Sequence, residues 1–493
     1  MNNLIALPMI IPLLAAIILL FFPSYVRVQY VLSFLALLAT AALSSYLLNW
    51  VYHEGILRLD FGGWPPPYGI LFVADSFALL FVLTASSVSS LITIYAYYAG
   101  QSEGYHPRFF YPLLLFLVAG VNGSFLTGDI FNLFVCFEVL LLASYALITL
   151  GGGKTRLQES VKYIGINVFS SWLFLVAIAY LYGTLGTLNM AHLSERLAEV
   201  GQTPLLTVIG ILFLIVFSLK AGLLLYFWLP GSYSVPPTAV AALFGALLTK
   251  VGIYALFRIF SLLFYHDPVV NETLLSVMAA LTLIGGSIGA IAHNDIRQIV
   301  SYNVIIGVGF VLTGLAISTS AALEGSIYYV IHDMIAKSLL FLLAGTVVTL
   351  TGTAKMEEMS GLIRNYPLLG WLFFITLLSL VGIPPLSGFI GKVLLGEGAI
   401  EAGAYGLLGI AFASSLFVLY SLLRIFLNCF WGETTISEGE EPPLRKGMII
   451  PGVLLALLML GLGLGAELLA PYVKDASTIL LNPNLYIEAV LYR

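Results

Sequence analysis

Charge is scarce in this sequence. Only 9% of its 493 residues are Asp, Glu, Lys or Arg, against about 25% in ordinary soluble domains. With 60% hydrophobic residues and a mean hydropathy of +1.03, a water-soluble globule is excluded. Cysteine is nearly absent: Cys136 and Cys429 both stand in apolar stretches, which rules out a disulfide framework and any cysteine-cluster metal or iron–sulfur site. Period-2 alternation is missing, so a membrane β-barrel is excluded. Long polar segments are also missing. The longest, 184–204 and 432–446, are too short for an extramembrane domain, so no soluble catalytic module, cofactor site or nucleic-acid partner is expected. The first 22 residues lack a basic region and a small-residue cleavage site, and read as a retained span, not a cleaved signal.

What is present is apolar and long. Runs able to cross a bilayer, about 20 residues each, fall near 3–22, 28–50, 70–98, 109–127, 129–150, 160–183, 205–228, 236–264, 272–292, 299–317, 322–350, 367–396, 403–431 and 447–472. These fourteen runs predict an all-α polytopic membrane protein. The connections after odd-numbered runs hold Arg27, Arg108, Lys154, Arg156, Arg297, Lys355, Arg364, Arg445 and Lys446; those after even-numbered runs, before the tail, hold mainly Arg58 and Arg196. The positive-inside bias therefore predicts odd loops in the cytoplasm and both termini outside.

Against this apolar background a few charges stand out, because one at the bilayer centre costs about 2.5–3.5 kcal/mol on insertion scales. Lys220 and Lys250 sit in the middle of runs seven and eight, separated by WLPGSYSVPP, where Pro230, Gly231, Pro236 and Pro237 oppose a continuous helix. Run twelve is interrupted in the same way at Gly382, Pro384, Pro385 and Gly388, with Lys392 just beyond. Paired broken helices five spans apart point to an inverted-repeat transporter with repeats of five helices, spans 4–8 and 9–13. The chain then divides into N-terminal helices 1–3 (1–107), a first repeat (108–264), a second repeat (265–431) and a C-terminal loop, helix and tail (432–493).

Glu138 lies mid-span, and its expected partner is Lys220, since no other acid lies so deep in the first half. Asp129 reads as an end or cap residue. A Glu–Lys pair that opens and closes is a proton switch, because desolvation disfavours an unpaired charge. Lys250 has no acid in its own helix, with only Thr249 and Tyr254 nearby, and reads as an unpaired proton-exchanging site. In SIYYVIHDMIAKSLLFLLAG, His332, Asp333 and Lys337 form a polar patch. His332 is the only histidine well inside a span, and imidazole suits a relay. It lies five residues from Lys337, so the two share a face only if the helix bulges locally. Asp333 has two readings, as the neutraliser of a lysine or as part of a polar environment. Lys392 is favoured as the terminal proton site, while Glu397 and Glu401 near the end of their span face water.

Other strings carry less. GGGKT at 151–155 lacks the early glycine and preceding strand of a phosphate loop and reads as a basic turn. NGS at 122–124 is a sequon only by pattern, and GGSIG at 285–289 reads as close helix packing. GLGLG at 461–465 reads either as a partner contact or as a flexible stretch.

The strings FVCFEVLLLASYALI, LKAGLLLYFWLPGSYSVPPTAVAALFGALLTKVGIY, HNDIRQIVSYNVIIGVG, HDMIAKSLLFLLAG and GIPPLSGFIGK resemble the proton-translocating antiporter family. That family comprises Mrp-type sodium/proton antiporter subunits and the antiporter-like membrane subunits of complex I. AGVNGSFLTGDIFNLFVCFEVLLLASYALI and the opening MNNLIALPMIIPL resemble its Mrp D-type branch. The resemblance implies fourteen helices and the coupled pair Glu138 and Lys220. It further implies a central relay at Lys250, its continuation through His332 and Lys337, and an outer site at Lys392. It also implies a cell-membrane complex with other membrane subunits, with H+ and Na+ as transported ions and sodium crossing elsewhere than this lysine row. The pattern departs at two points: some complex I relatives carry glutamate where Lys392 stands, and the His332–Lys337 spacing is one residue longer than the common four. The rivals are a redox-driven pump subunit of complex I or a membrane-bound hydrogenase, and a membrane scaffold.

Overall fold

The computed structural model describes residues 2–103, 108–201, 203–265, 269–434 and 442–492. Part of the polar segment expected at 432–446, residues 435–441, and the end of the N-terminal unit, 104–107, lie outside the described residues. Among the described residues twelve helices are long and apolar enough to span a membrane, and two shorter apolar helices, Phe110–Leu126 and Pro367–Val381, accompany them. All fourteen overlap the fourteen apolar runs.

Three segments differ from the sequence expectation. Run 70–98 opens as a strand: Leu57–Asp60 pairs antiparallel with Leu71–Ala74, Leu57 opposite Ala74, before the helix Ser76–Glu103 begins. A short apolar run before a helix start cannot be told from helix by periodicity alone. Run 447–472 is two elements, Lys446–Leu464 and Ala466–Leu481, and a last helix follows at Pro483–Leu491. Within GLGLG, Gly463 packs on the chain itself: a Cβ there would stand 2.1 Å from the Pro385 carbonyl oxygen and 2.8 Å from Ser387 N. The third, run 367–396, differs only in that its expected interruption separates two distinct helices, Pro367–Val381 and Ser387–Glu401.

Local chemistry explains where the key helices start and stop. Thr203 accepts from Leu206 N ahead of Pro204, an N-cap followed by proline at the first turn. That helix ends at Ala221 because Gly222 takes a left-handed conformation, φ +76°. Gly382, φ +91°, ends Pro367–Val381 in the same way. The longest described core helix, Ser320–Thr351, is capped by Thr319 and closed by Gly352. Apolar on every face apart from a few buried charged and polar groups, it and the helical stretch Thr238–Leu262 are largely buried, as interior spans should be.

Two matching corners bound the bundle. Asp129 caps Ile130–Thr149 by accepting from Asn132 N, and its backbone bridges to Asn189. Asp295 caps Ile296–Ile317 by accepting from Arg297 and Gln298 N, and its backbone bridges to Lys355. The exchanges correspond: Ile130 N donates to Leu188 O and Met190 N to Gly128 O, while Ile296 N donates to Ala354 O and Met356 N to Asn294 O.

The weaker strings resolve simply. Gly151, Gly152 and Gly153 all have positive φ in a turn before Lys154–Leu185. Asn122 is buried in a helix and donates to Pro8 O. Gly286 and Gly289 pack against Ile306 and Tyr302.

Candidate functional site

Lys220 lies in the last turn of its helix, not mid-crossing, because the chain leaves the helical path at Gly222. Leu224 is also left-handed, φ 58°. Pro230 lies in the first turn of a short helix, Leu229–Ser234, that also holds Gly231, and Pro236 follows it before the chain resumes at Thr238. A cation at a helix C-terminus is favoured by the carbonyl dipoles there. Trp228 Nε1 donates to the Leu219 carbonyl and holds this end.

Glu138 does not touch Lys220 directly. Ser171, from the helix Lys154–Leu185, stands between them: its hydroxyl donates to Glu138 at 2.5 Å and accepts from Lys220 Nζ at 3.3 Å. The Phe137 ring lies 4.9 Å from Lys220 Nζ. Glu138 is only half-buried, at the rim of the protein, on a helix that also exposes Phe131, Val135 and Leu142. The serine bridge was invisible in the sequence because a hydroxyl in an apolar helix carries no charge signal.

Lys250 is paired, contrary to the sequence expectation. Its Nζ lies 2.7 Å from Asp333 Oδ2, with both side chains at most 1% exposed. The partner comes from another helix, so inspection of the lysine's own span could not reveal it. Lys337 Nζ approaches the other oxygen of Asp333 at 3.6 Å. Asp333 is thus shared between two lysines, and the three groups carry one net positive charge when ionised. Gly307 makes room for it: a Cβ there would lie 2.8 Å from Asp333 Oδ1.

The local bulge expected in the His332 helix occurs instead beside Lys250. Ser320–Thr351 is α-helical throughout, whereas Phe244–Leu248 is a π-turn, and Lys250 Nζ donates at 2.9 Å to the Gly245 carbonyl within it. Such single wide turns recur at functional positions. Gly252 lets this helix meet the end of the Lys220 helix, since a Cβ there would stand 2.5 Å from Ala221 N.

His332 and Lys337 point apart. Lys337 turns to Asp333, while His332 Nδ1 lies 2.8 Å from the Ser387 hydroxyl at the start of the helix after the second break. His332 Nε2 is buried without a partner among the described residues. Lys392 closes the row by reaching back across the break. Its ammonium donates to the Leu380 and Val381 carbonyls at 3.1 and 2.7 Å and to Ser415 at 2.7 Å. It lies 5.3 Å from the Phe310 ring and 5.8 Å from the Tyr329 ring. Glu397 and Glu401 are on the same helix, Glu401 exposed and Glu397 also reaching the surface.

The six expected residues therefore fall into three groups: Glu138–Ser171–Lys220, Lys250–Asp333–Lys337, and His332–Ser387 with Lys392–Ser415. Asp333 and the three serines were not among those six. Neither was a further buried ion pair, Arg258 with Asp75, 2.6 Å apart. Arg258 stands inside the apolar string YALFRIFSLLF, a signal that could have exposed it. No group of three or more His, Cys, Asp or Glu suited to a metal occurs among the described residues.

Residues 127–418 match the family described as NADH:quinone oxidoreductase/Mrp antiporter, TM. The D-type subunit of the Na(+)/H(+) antiporter of Bacillus subtilis (strain 168) is 49% identical over 492 residues, with 100% of both chains covered. This chain belongs to the D-type family of Na(+)/H(+) antiporter subunits. Members of that family are secondary ion antiporter subunits, not enzymes, and the solved structures agree with that membership. A chain of the Mrp complex from Dietzia sp. DQ12-45-1b superposes with a TM-score of 0.92 at 31% identity, covering 100% of each chain. A chain of the membrane-bound sulfane sulfur reductase, an archaeal respiratory membrane complex, superposes at 0.90 with 27% identity and 99% of each chain covered. The fold is thus that of the Mrp and complex I antiporter-like subunits, and its structural neighbours work within multi-subunit membrane assemblies.

Proposed function

We propose that this protein carries protons inward through a multi-subunit Mrp-type Na+/H+ antiporter and so drives sodium extrusion. The observation that carries this reading is Lys250–Asp333–Lys337, an ion triad buried in interior helices between two broken helices. Buried charge is costly, and apolar residues would stabilise the same site equally well. Its retention there fits a proton path. Protons pass from the Glu138–Ser171–Lys220 group to Lys250, then by Asp333 and Lys337 toward His332, and leave at Lys392. Bridging waters complete the steps between groups. The interruptions around Pro230, Gly231 and Pro236, and at Pro384 and Pro385, give half-channels their place. A lysine row repels a bare cation, so sodium crosses elsewhere, in a partner protein of the complex or at its boundary.

The repeat organisation, 108–264 and 265–431, is supported by the corresponding Asp129 and Asp295 corners and by a left-handed glycine at each break. The complex sits in the cell membrane with both termini outside, as the loop charges favour. The likeness to the sulfane sulfur reductase chain favours a second reading, a redox-driven pump subunit with the same axis. Neighbouring genes for iron–sulfur proteins would favour that second reading.

The test uses inverted vesicles carrying the complete complex in a host without its own sodium antiporters. Respiration imposes a proton gradient, sodium is added, and a pH-sensitive dye is followed. Sodium-dependent dequenching in wild type, lost in Lys250→Ala, is expected. An assembled complex that ignores sodium, potassium and lithium would overturn the antiporter reading.

A further inference from the structure

A second buried polar chain runs from Lys250 toward the face that carries the β-hairpin and the C-terminal helices. Lys250, Tyr254 and Arg258 recur at i, i+4 and i+8, so they line one face of the same helix. Arg258 is 4% exposed and donates to the Tyr254 hydroxyl at 3.0 and 3.3 Å. Tyr254 in turn donates to the Phe125 carbonyl at 2.5 Å. Arg258 pairs with Asp75 at 2.6 Å, and the other oxygen of Asp75 accepts from Ala78 N. The next residue, Ser76, donates to Asp475 at 2.5 Å. Asp475 is half-buried and lines a groove of 590 Å³ together with Glu324, Glu467 and Lys474. The rings of Phe77, Tyr254 and Tyr486 enclose the Arg258 guanidinium at 5.0–5.4 Å.

We infer that Asp75 and Arg258 gate a proton path between the Asp475 groove and the Lys250–Asp333 centre. This rests on the antiporter reading above. Carboxylates and hydroxyls pass protons, whereas a guanidinium does not release one. Asp475, Ser76, Asp75 and Tyr254 are therefore the carriers, and Arg258 is the fixed positive charge among them. Protonation of Asp75 removes the charge that holds Arg258 and lets the guanidinium move off Tyr254. With Asp75 ionised the pair is closed, and Arg258 repels bare cations. Tyr254 stands one turn along the helix from Lys250, and water completes the step between their side chains.

The same groups would also serve as a mere clasp between hairpin, bundle and tail, and the experiment separates the two roles. In vesicles with the complete complex, Asp475→Asn and the neutral pair Asp75→Asn/Arg258→Gln are compared with wild type. The path predicts a several-fold loss of sodium-dependent proton movement for Asp475→Asn at normal assembly, and a greater loss for the neutral pair. Wild-type rates in assembled complexes of both would overturn it. In parallel, wild-type membranes and Arg258→Gln membranes are treated with an apolar carbodiimide, and labelled carboxyls are located by mass spectrometry. Labelling of Asp75 that rises in Arg258→Gln is expected; Asp475 labelled with Asp75 untouched in both overturns the path even if the neutral pair fails to assemble. Wild-type vesicles that ignore sodium would instead overturn the antiporter reading, and the labelling would still decide the path.

Discussion

Lys250 and Asp333 meet at 2.7 Å in the middle of the bundle, from two helices far apart in sequence, and Lys337 shares the same carboxylate. The carboxylate is a divider: it can neutralise either lysine but not both. A proton on one lysine and the charge on the other are thereby coupled. Removing one partner of a buried pair typically costs about 3–5 kcal/mol, because an uncompensated charge is left behind. Asp333→Ala should therefore sharply reduce the yield of assembled complex, measured by size-exclusion chromatography after solubilisation. Lys250→Ala/Asp333→Asn, which leaves Lys337 as the triad's one charge, should recover yield without recovering antiport.

The serine bridge between Glu138 and Lys220 gives a graded series. Glu138→Ala and Lys220→Ala should each abolish antiport while the complex still assembles. Ser171→Ala keeps both charges but removes the hydroxyl between them, and should slow dye dequenching several-fold. Ser171→Thr, which restores the hydroxyl, should recover much of the rate.

Space is as constrained as charge at the centre. Overpacking a filled core costs about 1–3 kcal/mol. Gly307→Ala puts a methyl 2.8 Å from Asp333 and should lower both the melting temperature of the purified complex and its antiport rate. Gly152→Ala, where no atom lies within 4 Å, tests the strain of a positive φ without a clash and should leave antiport unchanged.

Lys392 ties the second break together through two carbonyls as well as Ser415. Lys392→Ala should end antiport and loosen the turn at 382–386, seen as faster amide exchange there than in wild type. Lys392→Met, which keeps the stem but not the donors, should behave the same way. Retained antiport in either assembled variant would remove Lys392 from the path.

The positions of the buried charges were legible in the sequence because a lysine in an apolar run is conspicuous on energetic grounds alone. Glu138, Lys220, Lys250, His332, Lys337 and Lys392 announce themselves in this way. So do the breaks, since left-handed glycine and proline interrupt helices whatever surrounds them. Ser171, Ser387 and Ser415 stayed hidden: serine is tolerated in membrane helices by bonding its own backbone, so its presence signals nothing. Asp75 hid for a related reason, standing next to a helix start where an acid is ordinary.

Composition and local chemistry by themselves determined a many-spanned helical membrane protein, its interruptions and the residues whose burial demands a purpose. Pairing was decided only by tertiary structure. Asp333 follows His332 in sequence, yet it serves Lys250 of another helix, and the expected bulge lies beside Lys250 instead of His332. Helical periodicity fixes which way a side chain leaves its own axis, but which helix it then meets depends on how all the spans pack together.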